Sequence, residues 1–333
     1  MRHRVKDDKC EGNFTIMTQQ IKKIAITGAS GFIGSNFIES LRSTSPQLEI
    51  HALTSRRVDF GSPKVKSFQG SLEDRDLSTA FLEGVECVFH FAFRGFPSEN
   101  LPFPEKEILS NLETTALLFS AMRASKVSKL VIAGSGGAVY SPGADSRQNE
   151  ASPTLANTAY ATGKLCIELL SEMNRELYGI ETYNFRISNV YGPGQSVRVQ
   201  SGFIAKALSC ALNNQPLPLW IDPATQKDFI YIEDVFNAFR MILTEKNLAP
   251  GIYNLGGGRS YSLSQVLSVI EKVTGVKVQV SKSENKPALT KNTSLDIFKF
   301  KNAAKWKPET SLENGIASFW EWMQSPTKKR RAA

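Results

Sequence analysis

The chain has 333 residues, of which 41% are apolar and 22% charged, a composition typical of a globular protein with one large or two modest domains. No run of about 18 apolar residues occurs, so the sequence predicts no membrane span. Half of the formal charge of +8 comes from residues 328–331, which we interpret as a solvated basic tail over residues 324–333 and not as a nucleic-acid site.

The first twenty residues carry charges but lack the apolar core of a signal peptide, so we predict a disordered extension over residues 1–20 and a cytoplasmic protein. The four cysteines are scattered, without the C-x-x-C spacing of metal and redox sites. We therefore expect no metal site. Cys87 and Cys166 lie in apolar patterns and are expected to be buried free thiols.

A glycine-rich turn follows the first apolar segment. Residues 24–26 predict a buried strand, and Gly28, Gly31 and Gly34 follow at three-residue spacing, with a helix-period segment over residues 32–41. Such a turn lets backbone N–H groups at a helix N-terminus approach a pyrophosphate. The sequence therefore predicts a dinucleotide site here, with an ordinary strand-to-helix turn as the alternative.

The second predicted strand, residues 49–54, ends without an acidic residue. An acid at this point usually binds the ribose hydroxyls of NAD, whereas a nearby arginine accommodates the 2′-phosphate of NADP. Here Ser55, Arg56 and Arg57 follow Thr54. This pattern favours NADP over NAD, unless the two arginines are merely exposed loop charges.

Strands and helices alternate through the first half of the chain. We predict strands over residues 64–69, 87–92 and 129–133, and helices over residues 77–82 and 106–125. His90 is interpreted as a packed strand residue. Alternation of this kind predicts an α/β fold, a Rossmann-like doubly wound parallel sheet with its ligand at the carboxyl ends of the strands.

Two side chains on the next predicted helix, which extends to about residue 178, indicate acid–base chemistry. Tyr160 and Lys164 are four residues apart and therefore share a helix face. An ammonium beside a phenol favours the phenolate, so we expect a lowered pKa for Tyr160 and a role as general base. An exposed helix pair is the alternative. The loop over residues 134–141, which contains Ser135, should lie at the same sheet edge.

The second half of the chain predicts a smaller C-terminal α/β lobe. We predict helices over residues 202–212 and 234–243, short strands over residues 216–220 and 276–280, and a strand over residues 229–232 that returns to the edge of the main sheet. The cofactor domain would span residues 21–185 with returning segments near 225–255, and residues 186–323 would mainly bind substrate in a cleft. Trp306, Trp320 and Trp322 are interpreted as packing residues.

Taken in order, these segments carry a family resemblance. The chain resembles the extended short-chain dehydrogenase/reductase family, and in particular its nucleotide-sugar epimerase/dehydratase group, over about residues 22–320. The resemblance rests on residues 27–34, 88–92, 135–140, 160–164, 189–195, 227–235, 253–258 and 306–308. It implies a homodimer formed by the helices over residues 106–125 and 160–178.

The resemblance also implies individual roles. Tyr160 would be the catalytic base, Lys164 would hold the nicotinamide ribose, and Ser135 would supply the hydroxyl partner of the reacting oxygen. The implied NAD(P) site consists of Gly28, Ser30, Gly31, Phe32, Ile33, Gly34, Ser55, Arg56, Ser71, Leu72, Phe91, Ala92, Phe93, Tyr160 and Lys164. The implied nucleotide-sugar site consists of Arg94, Asn189, Phe203, Lys227 and Lys286.

Departures from the family pattern narrow the reaction. Many relatives carry Ser or Thr where this chain has Gly136, and arginine where it has Lys227 and Lys286. Dehydratases and decarboxylating relatives carry acids in the loop, and residues 136–138 supply none, so these reactions are disfavoured. A nucleotide-sugar 4-epimerase similar to UDP-glucose 4-epimerase is the first hypothesis. An NADPH-dependent 4-ketoreductase and a non-catalytic NAD(P)-binding sensor are the alternatives.

Overall fold

The computed structural model of the protein describes residues 21–95, 102–141, 147–197, 202–219, 221–245, 247–282 and 292–325. The predicted extension over residues 1–20, Lys286 and the tail from residue 326 onward lie outside these ranges. Every helix within them is too short or too polar to span a bilayer.

The central element is a parallel sheet. The described residues form the strands β1 (Lys23–Thr27), β2 (Glu49–Thr54), β3 (Val65–Gln69), β4 (Cys87–His90), β5 (Lys129–Ser135), β6 (Glu181–Ile187), β7 (Asn189–Tyr191), β8 (Leu217–Leu219), β9 (Gln226–Tyr231), β10 (Gly251–Leu255), β11 (Ser260–Ser262) and β12 (Val280–Lys282). Seven of these strands pair in parallel in the order β10-β6-β5-β4-β1-β2-β3. The strand order reverses between β1 and β4, where doubly wound sheets bind ligands. The predicted Rossmann-like fold is confirmed.

Helices cover both faces of this sheet. The described residues form the helices α1 (Phe32–Thr44), α2 (Arg75–Leu82), α3 (Pro104–Ala124), α4 (Ala159–Tyr178), α5 (Phe203–Leu212), α6 (Ile232–Thr244), α7 (Leu263–Thr274), α8 (Phe298–Ala304) and α9 (Leu312–Gln324), of which α1 to α4, α6 and α8 pack on the central sheet. Ile24 and Ile26 of β1 pack towards α1, α6 and α8, whereas Ala25 between them packs towards α2, α3 and α4. Because both faces are buried, the strands are apolar at successive positions.

The C-terminal half adds two small sheets and a third core. One sheet has the order β11-β9-β7, and the other pairs β12 with β8. The third core is formed mainly by α5, α7 and α9 with side chains of β7, β8 and β9. These elements lie beyond the carboxyl end of β6 along the chain.

The prediction that residues 229–232 return to the edge of the main sheet is wrong. β9 pairs with β7 in the small sheet, with Asn189 opposite Phe229, and β10 instead pairs with β6, with Gly251 opposite Tyr183. Both β9 and β10 contain a short apolar run, and the choice between them depends on long-range pairing that a local pattern does not contain.

The predicted strand over residues 276–280 is also wrong, because only residue 280 of that segment belongs to β12. Val278 is buried in the third core, as the alternation suggested, but its N–H group donates to the Glu271 carboxylate at 3.0 Å. A side chain of α7 therefore satisfies the backbone group that a neighbouring strand would have satisfied.

Other packing predictions are confirmed. His90 is buried between Thr27 Oγ1 at 2.7 Å and Thr115 Oγ1 at 3.1 Å, and burial lowers the pKa of its imidazole to about 3. The buried Trp306 ring packs on Phe300, and Trp320 and Trp322 pack against the third core. Cys87 is buried, whereas Cys166 is only half-buried because it lies towards the outer side of α4.

Candidate active site

The glycine turn lies against the end of β4. Gly28 has a φ of +65°, and a Cβ atom there would lie 2.6 Å from the backbone nitrogen of Ala92. A Cβ atom on Gly34 would lie 2.4 Å from the Gly28 carbonyl oxygen. Both positions therefore require glycine, because any side chain would separate the turn from β4 or from α1.

The N-terminus of α1 opens beside this turn. Gly31 is its N-cap residue and provides no side chain to cap the first N–H groups. Gly31 is exposed, and Ser30, Phe32 and Ile33 are half-buried around it. Uncapped N–H groups at the positive end of a helix dipole bind anions. The residues present therefore fit the pyrophosphate of a dinucleotide.

The end of β2 reaches the same edge of the sheet. The Ala29 N–H donates to the Leu53 carbonyl at 3.2 Å, and the Gly70 N–H donates to the Thr54 carbonyl at 3.0 Å. These bonds bring the segment that contains Ser71 and the buried Leu72 beside the glycine turn. Ser55, Arg56 and Arg57 are exposed at this edge. The predicted cofactor residues from three separate segments are thus brought together.

The residues after β4 divide between two environments. The Phe91 ring stacks on Phe239 with a centroid distance of 5.2 Å and belongs to the first core, so only its backbone faces the glycine turn. Arg94 is exposed, and its backbone N–H and carbonyl bond to the Asn111 side chain at 2.8 and 2.9 Å. Asn111 of α3 thereby holds this loop next to the sheet edge.

Tyr160 and Lys164 meet at the start of α4. Thr158 caps the helix, since its hydroxyl accepts the Ala161 N–H at 3.1 Å. The Lys164 Nζ donates to the Ala133 carbonyl of β5 at 2.7 Å and lies 5.6 Å from the centroid of the Tyr160 ring. The Ser135 side chain acts on the Tyr160 hydroxyl in the direction that lowers the pKa of the phenol. The structure therefore brings the three predicted catalytic residues together.

The electrostatics of this pair differ from the expectation. Burial raises the pKa of the Tyr160 phenol above its usual value, and the bond from Ser135 only partly opposes this effect. Burial also lowers the pKa of Lys164 to about 7, although Glu168 opposes that shift. The expected lowering of the Tyr160 pKa is wrong for the polypeptide alone, because desolvation is larger than any attraction from the ammonium.

The loop after β5 explains the missing hydroxyl. A Cβ atom on Gly136 would lie 2.6 Å from Leu295 Cδ1 and 2.8 Å from the Arg186 carbonyl oxygen, so no side chain fits at this position. Ser135, the residue before Gly136, supplies the hydroxyl next to Tyr160 instead. A Cβ atom on Gly137 would meet nothing closer than the Asn189 side chain at 3.9 Å.

A buried polar network lies behind this loop, and the sequence reasoning missed it. Arg186 of β6 pairs with Glu168 of α4, and its Nη1 donates to the Tyr140 hydroxyl at 3.1 Å. Tyr140 in turn donates to the Asn254 side chain at 2.6 Å. The one signal in the sequence was that Glu168 stands four residues after Lys164 and so shares its helix face.

Glu107 is a second residue that sequence reasoning missed. It lies in the first turn of α3 with 9% exposure, and its carboxylate packs against Gly95, where a Cβ atom would come within 2.0 Å of Oε1. Gly95 has a φ of +111°. The negative charge of Glu107 acts on the Tyr160 phenol and raises its pKa. A carboxylate thus stands near the pair, although residues 136–138 supply none.

The predicted substrate residues lie on the small sheet and on α5. Asn189 Nδ2 donates to the Asp228 carbonyl at 2.8 Å, and Lys227 is half-buried next to it along β9, with a pKa that burial lowers to about 8. Phe203 begins α5 and packs partly against the third core. Asn189 is close to the loop after β5, since it is the nearest side chain to Gly137, whereas the Lys227 ammonium lies 3.5 Å from Thr293 Oγ1 and the contacts of Phe203 point to packing.

Asp228 has a structural role that the sequence did not reveal. Its buried carboxylate accepts N–H groups of Gly257 at 2.8 Å and Leu295 at 3.5 Å, and burial raises its pKa to about 6. It thereby joins the segment around Leu295, which covers Gly136, to β9. Among the described residues, no group of three or more His, Cys, Asp or Glu side chains could hold a metal ion.

Comparisons with known proteins show which proteins this chain is similar to. Residues 24–256 match a family model described as the NAD dependent epimerase/dehydratase family. A protein of Methanocaldococcus jannaschii, provisionally assigned as a UDP-glucose 4-epimerase, is 29% identical over 304 residues, which cover 91% of this chain and 98% of that protein.

Two further comparisons involve an enzyme and a solved structure. The dTDP-4-dehydro-6-deoxyglucose reductase of Escherichia coli is 27% identical over 302 residues, which cover 88% of this chain and 95% of the relative. The crystal structure of UDP-glucose 4-epimerase from Thermus thermophilus in complex with NAD superposes with a TM-score of 0.82 at 26% identity, covering 91% of this chain and 99% of that one.

Proposed function

The chain belongs to the NAD dependent epimerase/dehydratase family, and on that premise we propose that it is a nucleotide-sugar 4-epimerase similar to UDP-glucose 4-epimerase. The observation that carries the proposal is the contact of the Tyr160 hydroxyl with Ser135, beside Lys164, at the sheet edge that the glycine turn shares. The loop after β5 supplies no acid for dehydration, because residues 136–138 are Gly, Gly and Ala.

The reaction needs one proton carrier. Tyr160 Oη takes the proton of the sugar 4-hydroxyl and later returns it to the same oxygen, while the Ser135 hydroxyl fixes that oxygen through a second hydrogen bond. A nicotinamide dinucleotide bound at this edge would supply the hydride chemistry at C4, with removal from one face of the sugar and return to the other. The sugar therefore changes configuration at C4 with no net oxidation. Lys164 supplies the positive charge beside the phenol.

The proposed cofactor contacts come from the glycine turn, the start of α1 and the end of β2. The N–H groups at the start of α1 would hold the pyrophosphate, and Lys164 would hold the nicotinamide ribose. Arg56, exposed at the end of β2 with Ser55, would bind a 2′-phosphate, and the site offers no acid there to repel it. We therefore infer a preference for NADP over NAD within an NAD-dependent family.

The substrate contacts would come from the small sheet. Asn189 and Lys227 lie on paired strands, and we assign them to the diphosphate of the nucleotide sugar. A lysine is a point charge and holds phosphate with looser geometry than the arginine of relatives. Arg94 is exposed near the same edge and would contact the sugar, whereas Phe203 would line the base site only if its ring left the third core.

The test is an assay of C4 epimerisation on UDP-glucose, followed by UDP-, GDP-, dTDP- and CDP-sugars with product analysis. Tyr160→Phe should abolish turnover and keep dinucleotide binding, because the ring remains and the proton carrier is lost. Tyr178→Phe is the matched control, since Tyr178 is an exposed tyrosine at the other end of the same helix. Full turnover in Tyr160→Phe would refute the proposal.

A second candidate is a 4-ketoreductase that uses NADPH. The reductase from E. coli among the relatives and the arginines after β2 favour it. Such an enzyme consumes one NADPH for each sugar reduced, whereas an epimerase shows no net change in cofactor absorbance during turnover. A non-catalytic NAD(P)-binding sensor would show no turnover with any sugar and would still bind the dinucleotide.

We also propose that the protein forms a homodimer through α3 and α4. These helices pack side by side in the second core, and their outer sides carry Leu109, Leu169, Met173 and Leu177 with exposures of 63%, 71%, 45% and 65%. The last three are spaced four residues apart and form one stripe on α4. A second copy of the chain is the occupant, since two such helix pairs bury each other's stripes.

A further inference from the structure

One aromatic ring touches both members of the Tyr160–Lys164 pair. The Phe93 ring meets the Tyr160 ring edge to face with a centroid distance of 5.2 Å and an interplanar angle of 74°. The Lys164 Nζ lies 3.9 Å from the centroid of the same Phe93 ring. An ammonium at this distance over a ring face makes a cation–π contact. Phe93 therefore contacts the proposed base and the proposed cation at once.

The position of this ring depends on Gly163. Gly163 is buried within α4, between Tyr160 and Lys164, and a Cβ atom there would lie 3.2 Å from the tip of the Phe93 ring. Glycine inside a helix is destabilising relative to alanine, so a packing reason is expected for it. Because Gly163 has no side chain, the tip of the Phe93 ring can pack directly against α4.

The lysine is held from two sides. Its ammonium donates to the Ala133 carbonyl at 2.7 Å on the sheet side, and the Phe93 ring covers it on the other side. Lys164 is consequently buried, with 7% exposure, although it is a lysine near a sheet edge. A single backbone bond and an aromatic face replace most of the water that an ammonium would otherwise bind.

We propose that Phe93 is a positioning residue, whose ring, seated on Gly163, holds the Tyr160 phenol and the Lys164 ammonium in one water-excluded arrangement. This inference rests on the proposed function, because it assigns Phe93 a role through the two residues that would touch substrate and cofactor. The family resemblance implied only that Phe93 contacts the cofactor. The role proposed here is different, because Phe93 and Gly163 depend on each other: the ring packs where Gly163 has no side chain. We call Phe93 and Gly163 the matched pair.

The charged and titratable groups around the pair set the expected direction. Glu168 faces Lys164 from its own helix, His90 faces it from β4 and is neutral, and Glu107 of α3 acts on Tyr160. Burial is the main reason that the pKa of Lys164 falls to about 7. Removal of the ring admits water, stabilises the ammonium and raises that pKa, because hydration outweighs a cation–π contact.

The experiment measures the pH dependence of reductive methylation at Lys164 by peptide mass spectrometry, in the purified protein without added nucleotide. In Phe93→Ala, the midpoint of labelling should rise by about one pH unit. Phe93→Leu keeps an apolar cover and should stay near the wild-type midpoint. Phe103→Ala is the matched control, because Phe103 is an exposed ring with the Lys106 ammonium 4.5 Å from its centroid. That variant should leave the labelling midpoint of Lys164 unchanged.

A second measurement tests the glycine. Gly163→Ala should raise the melting temperature less in the wild-type background, where the new methyl group meets the ring, than in the Phe93→Ala background, where helix propensity alone acts. Equal effects in both backgrounds would overturn the matched pair. An unchanged labelling midpoint in a folded Phe93→Ala protein would overturn the positioning role.

Turnover separates this inference from the proposed function. If both hold, Phe93→Ala should lower kcat about tenfold or more with little change in the KM for the nucleotide sugar, because the ring acts on the pair and not on the sugar. Shifted labelling with no turnover in any variant, wild type included, would refute the proposed function and leave the role of Phe93 intact. Normal turnover in all variants with an unshifted labelling midpoint would refute the role of Phe93 and leave the proposed function intact.

Discussion

Arg186 and Glu168 form a buried ion pair with two hydrogen bonds, in which Nη2 donates to Oε2 at 2.7 Å and Nε donates to Oε1 at 3.0 Å. Each side chain is 5% exposed. This pair joins the middle of α4 to β6. Because Lys164 lies one turn before Glu168, the pair also fixes the depth of the lysine and the orientation of the helix that carries Tyr160.

We expect Glu168→Ala to destabilise the protein by about 3–5 kcal/mol, because it leaves the buried Arg186 charge without its partner. The double variant Glu168→Leu/Arg186→Met should lose less than this single variant, since both charges leave together. Urea unfolding measures both. Glu172→Ala is the control. It breaks the ion pair with Arg175, whose side chain is 37% exposed while that of Glu172 is 41% exposed, and it should cost about 0.5 kcal/mol of stability at most.

Glu107→Gln should lower the pKa of Tyr160, because the negative charge of Glu107 raises it. A base acts when deprotonated, so kcat/KM rises with pH through the Tyr160 pKa and levels off above it. The midpoint of that rise should move to lower pH in the variant. The pH profile of kcat/KM measures the shift, with Glu113→Gln, an exposed carboxylate on the same helix, as control. A midpoint that moves up, or not at all, contradicts the assignment.

Gly136→Ser and Gly137→Ala should behave differently although the residues are neighbours. A side chain at residue 136 meets Leu295 at 2.6 Å and a carbonyl oxygen at 2.8 Å, whereas residue 137 has only Asn189 at 3.9 Å. We expect the first variant to lose about 1–3 kcal/mol of stability through overpacking and the second to lose little. Thermal unfolding measures this contrast. Ser135→Ala should keep the stability and lower kcat.

Arg56→Ala should weaken NADP binding more than NAD binding, because the guanidinium is assigned to the 2′-phosphate that only NADP carries. A loss of about tenfold or more in NADP affinity is expected from one charge-assisted contact. Isothermal titration with both dinucleotides measures the ratio. Arg175→Ala at the far end of α4 is the control. The NADP preference fails if the unmodified protein binds NAD more tightly.

Leu169→Glu should convert the proposed dimer to monomers, because it puts a charge on the most exposed residue of the stripe on α4. Light scattering during gel filtration gives the mass of each form. Leu155→Glu is the control, since Leu155 is also exposed at 47% but lies before α4. A monomeric wild-type protein would contradict the proposed interface, as would a Leu169→Glu variant that remains dimeric.

The central sheet and the glycine turn could be predicted because local signals were strong and consistent. Apolar strand segments alternate with segments of helical periodicity along the chain. Gly28 and Gly34 occupy positions where two backbone segments are in direct contact. The strand near residue 229 was misplaced, because β9 and β10 carry similar apolar runs and only pairing with β7 or β6 distinguishes them. The roles of the predicted site residues stay predictions that the experiments above would test.

The sequence by itself determined the family, the fold class and the chemistry that Tyr160 and Lys164 could perform, because spacing along one helix and one turn fixes which groups share a face. Only the tertiary structure decided their environment. The ring of Phe93, the carboxylate of Glu107 and the hydroxyl of Ser135 reach the pair from three other segments of the chain. A pKa depends on burial and on charges across space, and neither is a property of the local sequence.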